Sequence, residues 1–362
     1  MKKGLKITLK VLLSVLLIIV LAALAYLGYV VFSYSRIEDN QTLTVEGKGK
    51  QNSAKTGVEY VIATQNLGFG AYTADFTFFM DGGKESRAAS KESVENCITA
   101  AATTVAKYNP DFVLFQEIDI DSTRSYHVDE REILNKYYGD YSRAFGVNYH
   151  SAYLMYPIFE PHGASNSGMT TYSFADIASS TRRSLPISTS FSKFLDLDRC
   201  YTVSRVAVEG GKELVIFNVH LSAYGGSDEI RAAQMNMLLG QMQEEYEKGN
   251  YAVCGGDFNH DFTGDSTQKL NGGGNVDFGW AQPFPIEYLD TYNGIVRADK
   301  YDDDKLQPTC RNCDVPYEEG NFTIIVDGFL VSRNVEITSL VNVQTGFAYS
   351  DHSPVVMKFI LK

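Results

Sequence analysis

Six times along this chain an apolar run of strand length stops at a side chain that carries chemistry. Val61-Ile-Ala-Thr-Gln-Asn66 ends on Asn66, Asp111-Phe-Val-Leu-Phe-Gln-Glu117 on Glu117, and Leu214-Val-Ile-Phe-Asn-Val-His220 on His220. Tyr251-Ala-Val-Cys-Gly-Gly-Asp257 continues through Phe258 to Asn259, Phe322-Thr-Ile-Ile-Val-Asp327 stops at Asp327, and Asp351 and His352 stand directly before a last strand. Short apolar runs bounded by turn residues read as buried strands. One Asp or Asn at such a place commonly bonds its own backbone. Six in one chain call for a common cause, and open α/β sheets collect ligands at the carboxyl ends of their strands.

Between these strands lie helical patterns. Ser90 to Tyr108 places Val94, Cys97, Ile98, Ala101 and Val105 at helical spacing and closes at Asn109-Pro110. Ser227 to Lys248 reads as a long amphipathic helix with Ile230, Ala233, Met237, Leu238 and Met242 as its apolar stripe. Tyr201 to Val208 and Leu214 to His220 flank Glu209-Gly-Gly-Lys212, a hairpin signature. Alternating strands and helices imply helix layered over sheet.

The ordered blocks resemble the endonuclease/exonuclease/phosphatase superfamily, metal-dependent phosphoesterases that include pancreatic-type deoxyribonucleases, abasic-site endonucleases, neutral sphingomyelinases and inositol-polyphosphate 5-phosphatases. The resemblance rests on Asn66, Gln116-Glu117, Asn218-Val-His220, Gly256-Asp257-Phe-Asn259, Ile325-Val-Asp327 and Ser350-Asp351-His352-Ser-Pro354, in the family's order. It implies a four-layer α/β sandwich, two facing mixed sheets with helices outside. It also implies a site in which Glu117, with Asn66 and Asp351, holds Mg²⁺, with Mn²⁺ as a substitute. His220 and His352 present a proton or positive charge to the phosphate. By the same resemblance Asp327 would orient His352, Asp257 would position or deprotonate the attacking water, and Asn259 would hold a phosphate oxygen. Whether Asp257 or His352 is the base stays open. The resemblance further implies an Arg on the first hairpin strand as a substrate contact, and Arg205 stands at that place.

Other residues carry weaker signals. Arg124 suits a phosphate oxygen or a structural pair with Asp119 or Asp121. Arg182, Arg183 and Arg311 are basic groups able to reach a phosphate, and His150 and His162 read as isolated surface histidines. Cys310 and Cys313 have the spacing of half a zinc site and read as a local disulfide or as two plain thiols; Cys97 and Cys254 read as buried thiols. No His-Glu-x-x-His or Gly-x-Ser-x-Gly motif is present, which argues against a zinc-helix hydrolase and a serine hydrolase. Asn271-Gly-Gly-Gly-Asn275 lacks the Lys-Ser/Thr of a phosphate-cradling loop and reads as a surface turn.

The N-terminus sets the compartment. Lys2, Lys3, Lys6 and Lys10 make residues 1–10 basic, and residues 11–33 form an apolar stretch long enough to cross a bilayer. The bias of positive charge keeps that end cytoplasmic and exports the remainder. Tyr26, Tyr29 and Tyr34 cluster at the outer end, where amphipathic rings settle. A cleaved signal ending near Ala23-Leu-Ala25 is the competing reading. Residues 34–57 read as a linker and 58–362 as the globular domain.

From Ile37 onward 27 basic residues face 44 acidic ones, a net charge of −17. Such a surface repels a polyanion and disfavours long duplex DNA. The expected activity is therefore a monomeric, bilayer-anchored hydrolase of phosphate esters, whether in nucleic acid, phospholipid or small molecules. The alternative is an inactive module of the same fold that binds phosphorylated ligands at the cell envelope.

Overall fold

The computed structural model describes residues 2–194, 196–223, 227–272, 280, 282–302 and 306–362. Helix α1 (Lys2–Ser33) is apolar and solvent-exposed along nearly its whole length, the one helix among the described residues long and apolar enough to cross a membrane. The remainder builds two seven-stranded mixed sheets. One runs β1 (Gln41–Leu43), β7 (Ile177–Ser184), β8 (Cys200–Val208), β9 (Lys212–His220), β10 (Tyr251–Asp257), β14 (Asp327–Ser332) and β11 (Ile295–Arg297). The other runs β15 (Val335–Asn342), β16 (Val355–Leu361), β3 (Glu59–Asn66), β4 (Phe112–Asp119), β6 (Asn166–Ser173), β5 (Ser142–His150) and β2 (Val45–Glu46). A short ribbon of β12 (Cys310–Arg311) and β13 (Thr323–Ile324) lies beside them.

Each sheet holds one parallel pair, β3 with β4 and β9 with β10, flanked by antiparallel neighbours. Parallel strands require both faces covered, and all seven residues of β10 are buried. Between the sheets, Ile62, Leu114, Val253, Phe329 and Met357 belong to one core. On the outer faces, α2 (Lys91–Ala106) and α3 (Glu130–Tyr138) pack together over the β4 side, and α4 (Asp228–Glu247) packs on β10, β11 and β14. The result is the α/β sandwich the sequence implies.

Helix α2 follows its pattern. Ser90 caps it by accepting from Ser93 N–H at 3.0 Å, a contact that contributes about 1 kcal/mol, and Val94, Cys97, Ile98, Ala101 and Val105 are buried. Helix α4 departs from its expected stripe. It buries Gln234, Met235, Leu238, Leu239, Met242 and Glu245, whereas Ile230, Ala233 and Met237 are only half-buried. Gln234 donates to Ser222 Oγ and Pro186 O, and Glu245 accepts from Arg205 and Asn250, so both are buried with partners.

The segment read as a linker is more structured than a tether. Its β1 pairs with β7 and its β2 with β5, adding one edge strand to each sheet. The glycine-rich stretch at 271–275 lies partly outside the described residues.

Candidate active site at the sheet rim

The topology puts the carboxyl ends of both parallel pairs at one rim. Asn66 closes β3, Glu117 lies near the end of β4, His220 closes β9 and Asp257 closes β10. The antiparallel neighbours begin there: Asp327 opens β14 opposite Asp257, and His352 precedes β16. Gly256 makes the approach of Asp257 possible. Its φ is +150°, and a Cβ there would stand 2.0 Å from the Val219 carbonyl oxygen. Glu117 itself has φ 54°, at an irregularity between Phe115 and Ile118 in the β4–β6 pairing. A left-handed glutamate costs local energy and is held by its surroundings, as at many functional sites.

Asp257 lies at the centre. Its Oδ2 accepts from Asn66 Nδ2 at 3.1 Å and Asn259 Nδ2 at 3.2 Å, and its Oδ1 accepts from Asn259 N–H at 2.8 Å. His220 Nε2 and His352 Nε2 stand 3.6 and 3.8 Å from the same Oδ2. His352 Nδ1 is bonded to Asp327 Oδ2 at 2.8 Å, with both residues buried. Thr309 Oγ1 accepts from the N–H of Val326 and Asp327, and Ser350 Oγ both donates to Asn66 O and accepts from His352 N–H.

Glu117 is 3.2 Å from Asn66 Nδ2 and 3.8 Å from His220 Nε2. Beneath the rim Gln116 donates across the sheets to Asn218 Oδ1 at 2.7 Å, and Asn218 donates to Thr170 O and Phe115 O. These two amides tie the two parallel pairs together under the site.

Burial governs the charges. It pushes Asp257 up to about 7, with Asp327 adding to the rise while His352 and the hydrogen bonds oppose it. It pushes Asp351 up to about 6, with Glu117 adding and His352 opposing. The two histidines are driven apart. Burial, then the Arg199 and His352 charges, holds His220 well below the ordinary imidazole value. Burial also opposes charge on His352, but Asp327, Cys310, Asp351 and Asp257 outweigh it and raise it well above that value. The site thus favours the neutral form of His220 and the charged form of His352.

The acidic groups fall into two kinds. Asp257, Asp327 and His352 bring ligand atoms within 4.8 Å of one another, yet Asp327 is committed to His352, so this trio reads as an oriented histidine beside a carboxylate. Glu117 and Asp351 keep 23% and 16% side-chain exposure. They are oxygen donors whose mutual repulsion a hard cation would relieve, and they fit such an ion. Asn66 meets Glu117 through its amide nitrogen, its oxygen accepting from Gly68 N–H at 3.0 Å. In this arrangement it orients the carboxylate rather than offering an oxygen ligand.

The arginines sort differently from the sequence expectation. Arg205 is not at the rim: it lies opposite Val215, toward the other end of β9, and pairs with Glu213 and Glu245 at 2.6 Å each. Because β8 runs antiparallel to β9, only the start of β8 comes near His220, and there stands Arg199, which sequence reasoning passed over. Arg199 is buried, donates to Leu221 O at 2.8 Å and lines the cavity. Arg124 also lines it, but commits Nε and Nη2 to Asp119 at 3.0 and 2.9 Å. Arg311 is buried and bonded to the carbonyls of Thr73 and Phe76. Arg182 is buried and bonded to those of Val147 and Asp198, while Arg183 pairs with Asp39.

His162, expected on the surface, is buried with Nδ1 on Ser86 O at 2.9 Å, and its ring meets Phe69 and Phe78. All five cysteines are free and buried, so Cys310 and Cys313 are not bridged; Cys310 Sγ lies 3.6 Å from His352 Nε2. The cavity of about 310 Å³ at this rim has the polar set on its floor and Phe69, Tyr72, Phe78 and Met80 in its lining.

A model of the endonuclease/exonuclease/phosphatase family matches residues 63–352. Solved structures share the fold. Human Nocturnin's catalytic domain with bound sulfate is 16% identical, covering 88% of this chain and 98% of its own, with a TM-score of 0.52. ANGEL2, a 2',3'-cyclic phosphatase in complex with adenosine-2',3'-vanadate, is 13% identical, covering 90% and 99%, with a TM-score of 0.54. An endonuclease/exonuclease/phosphatase from Beutenbergia cavernae DSM 12333 is 16% identical, covering 84% and 72%, with a TM-score of 0.53. No curated protein matches the chain in sequence.

Proposed function

We propose, from the premise that this chain belongs to the endonuclease/exonuclease/phosphatase family, that it is a divalent-metal-dependent phosphoesterase held on the outer face of a membrane. The observation that carries the reading is Asp257, set 3.8 Å from a histidine that is bonded to buried Asp327 at 2.8 Å, with Glu117 and Asp351 at the same rim.

Phosphoryl transfer needs an oriented water, charge stabilisation on the phosphoryl oxygens and help for the leaving oxygen. Asp257, aligned by Asn66 and Asn259, takes the proton of the water. His352, in its charged form, sits against a phosphoryl oxygen, and His220, in its neutral form, donates a second hydrogen bond to the phosphate. Arg199 adds a fixed positive charge at the wall. Glu117 and Asp351 are the residues that would hold Mg²⁺ or Mn²⁺, which when bound neutralises phosphate charge and stabilises the leaving oxygen. The sulfate in Nocturnin and the vanadate ester in ANGEL2 agree with an oxyanion site in this fold.

Anchoring through α1 follows from its exposed apolar surface and the four lysines that precede residue 11, which keep the N-terminus inside. The test is hydrolysis of bis-p-nitrophenyl phosphate by the full-length protein in detergent with added Mg²⁺. Turnover that EDTA abolishes and that Glu117→Ala or His352→Ala removes is expected. An inactive wild-type protein would leave only the reading of a binding module.

A further inference from the structure

Beside the rim, the surface carries apolar side chains that the core does not use. In the loop 153–159, Met155 and Tyr156 are exposed, Ile158 is 77% exposed and Phe159 wholly so. The loop is fixed to the outer third of α1: Tyr26 Oη donates to Tyr153 O at 3.2 Å and accepts from Met155 N–H at 2.9 Å, and Tyr29 Oη accepts from Tyr153 N–H at 3.0 Å. Val30, on the same stretch of helix, is buried.

The depth follows from the helix. Tyr26 lies seven residues before the end of α1 at Ser33, or about 10 Å below it at the helical rise. A loop hydrogen-bonded there cannot stand clear of a bilayer that α1 crosses. On another part of the surface near the same helix end, Phe194 packs edge-on against Tyr34 at 5.2 Å, and Phe191 is exposed on the same turn beside Lys193. Aromatic and basic side chains of this kind settle at the bilayer interface.

The loop is also continuous with the cavity. Tyr156 meets Phe79 at 5.7 Å, Phe79 meets His162 at 5.9 Å, and His162, Phe78 and Met80 line the pocket. We propose that loop 153–159 enters the outer leaflet beside α1 and sets the mouth of the site on the lipid surface, so that the substrate is a phosphate ester carried by a membrane lipid. The inference rests on the phosphoesterase reading. A domain of net charge −17 gains nothing from anionic lipid, so apolar contact rather than charge has to hold the loop at the lipid surface beside the anchoring helix.

The test uses the full-length protein reconstituted in phosphatidylcholine vesicles. In Phe159→Trp, the added fluorescence is expected to be quenched by lipids brominated on their acyl chains. An unquenched tryptophan, as a protein partner covering the loop would give, overturns the insertion. In I158E/F159E, hydrolysis of vesicle phospholipid should fall by about tenfold or more, the loss expected when two buried apolar side chains leave lipid, with hydrolysis of soluble bis-p-nitrophenyl phosphate unchanged. Equal lipid hydrolysis by variant and wild type overturns the inference. A wild-type protein that cleaves the soluble diester but no vesicle lipid defeats the lipid substrate alone, whereas one that cleaves neither defeats the phosphoesterase reading beneath it.

Discussion

His352 and Asp327 face each other through a 2.8 Å hydrogen bond in a buried pocket, although Asp327 opens β14 of one sheet and His352 lies in the turn that leads into β16 of the other. The bond fixes the ring's orientation: Nδ1 faces the Asp327 carboxylate, and Nε2 is turned toward Asp257 and Asp351.

Asp327→Asn should therefore keep the fold and lose catalysis. The amide no longer favours the charged ring, and kcat should fall by roughly 100-fold while KM changes little. Steady-state kinetics with circular dichroism on the same sample checks both. A kcat within about twofold of wild type would mean that the pair is merely structural.

Arg199 and Arg205 offer a contrast. Arg205→Ala leaves the buried Glu245 without its main partner and should cost about 3 kcal/mol of stability, with kcat/KM unchanged in the folded protein. Arg199→Ala should lower kcat/KM by about tenfold, the loss of one charged contact to phosphate. Thermal melts and kinetics on both variants separate the roles, and the opposite pattern would reverse them.

That pair also shows where the sequence could be read and where it could not. Asn66, His220 and Asp257 were legible because an apolar run with a polar terminus marks both a strand and its exit, and the parallel pairs bring those exits to one rim beside Glu117. Asp327, read as the end of the strand from Phe322, instead opens β14, because the run before it breaks after Ile324. The choice between Arg199 and Arg205 depends on the direction and register of β8 against β9, where Tyr201 meets Val219, and residue type does not encode it. The face of α4 was displaced for a related reason, since Gln234 and Glu245 are buried by partners distant in the chain. His162 lies in a segment without periodicity, so nothing local signalled its burial among Phe69, Phe78 and Phe79.

Glu245 gives the pH dependence its sign. Burial opposes its ionisation, but hydrogen bonds from Arg205, Asn250 and Lys248 outweigh this and hold it down to about 2, against an ordinary value of 4.5. A carboxylate lowered in the folded state stabilises the protein above its unfolded value and loses that contribution as pH falls through the folded one. The stability difference between wild type and Glu245→Gln should accordingly be constant at neutral pH and shrink between about pH 4.5 and 2. Chemical denaturation across that interval measures it; a difference that grows on acidification would contradict the assignment.

Metal binding has a readout independent of turnover. Mg²⁺ that binds only the folded protein raises the melting temperature with concentration, and the rise should be reversed by EDTA. Glu117→Ala and Asp351→Ala should each abolish the shift. A shift that persists in both would place the ion elsewhere.

The account turns on Asp257 and His352 acting as one unit, and the kinetics of Asp257→Asn, His352→Gln and the double variant test this most directly. Groups that share one step are not additive, so each single change should lower kcat by roughly 1,000-fold and the double variant should be no slower than the slower single one, within about threefold. A single variant that turns over at the wild-type rate, or losses that multiply in the double variant, would contradict it.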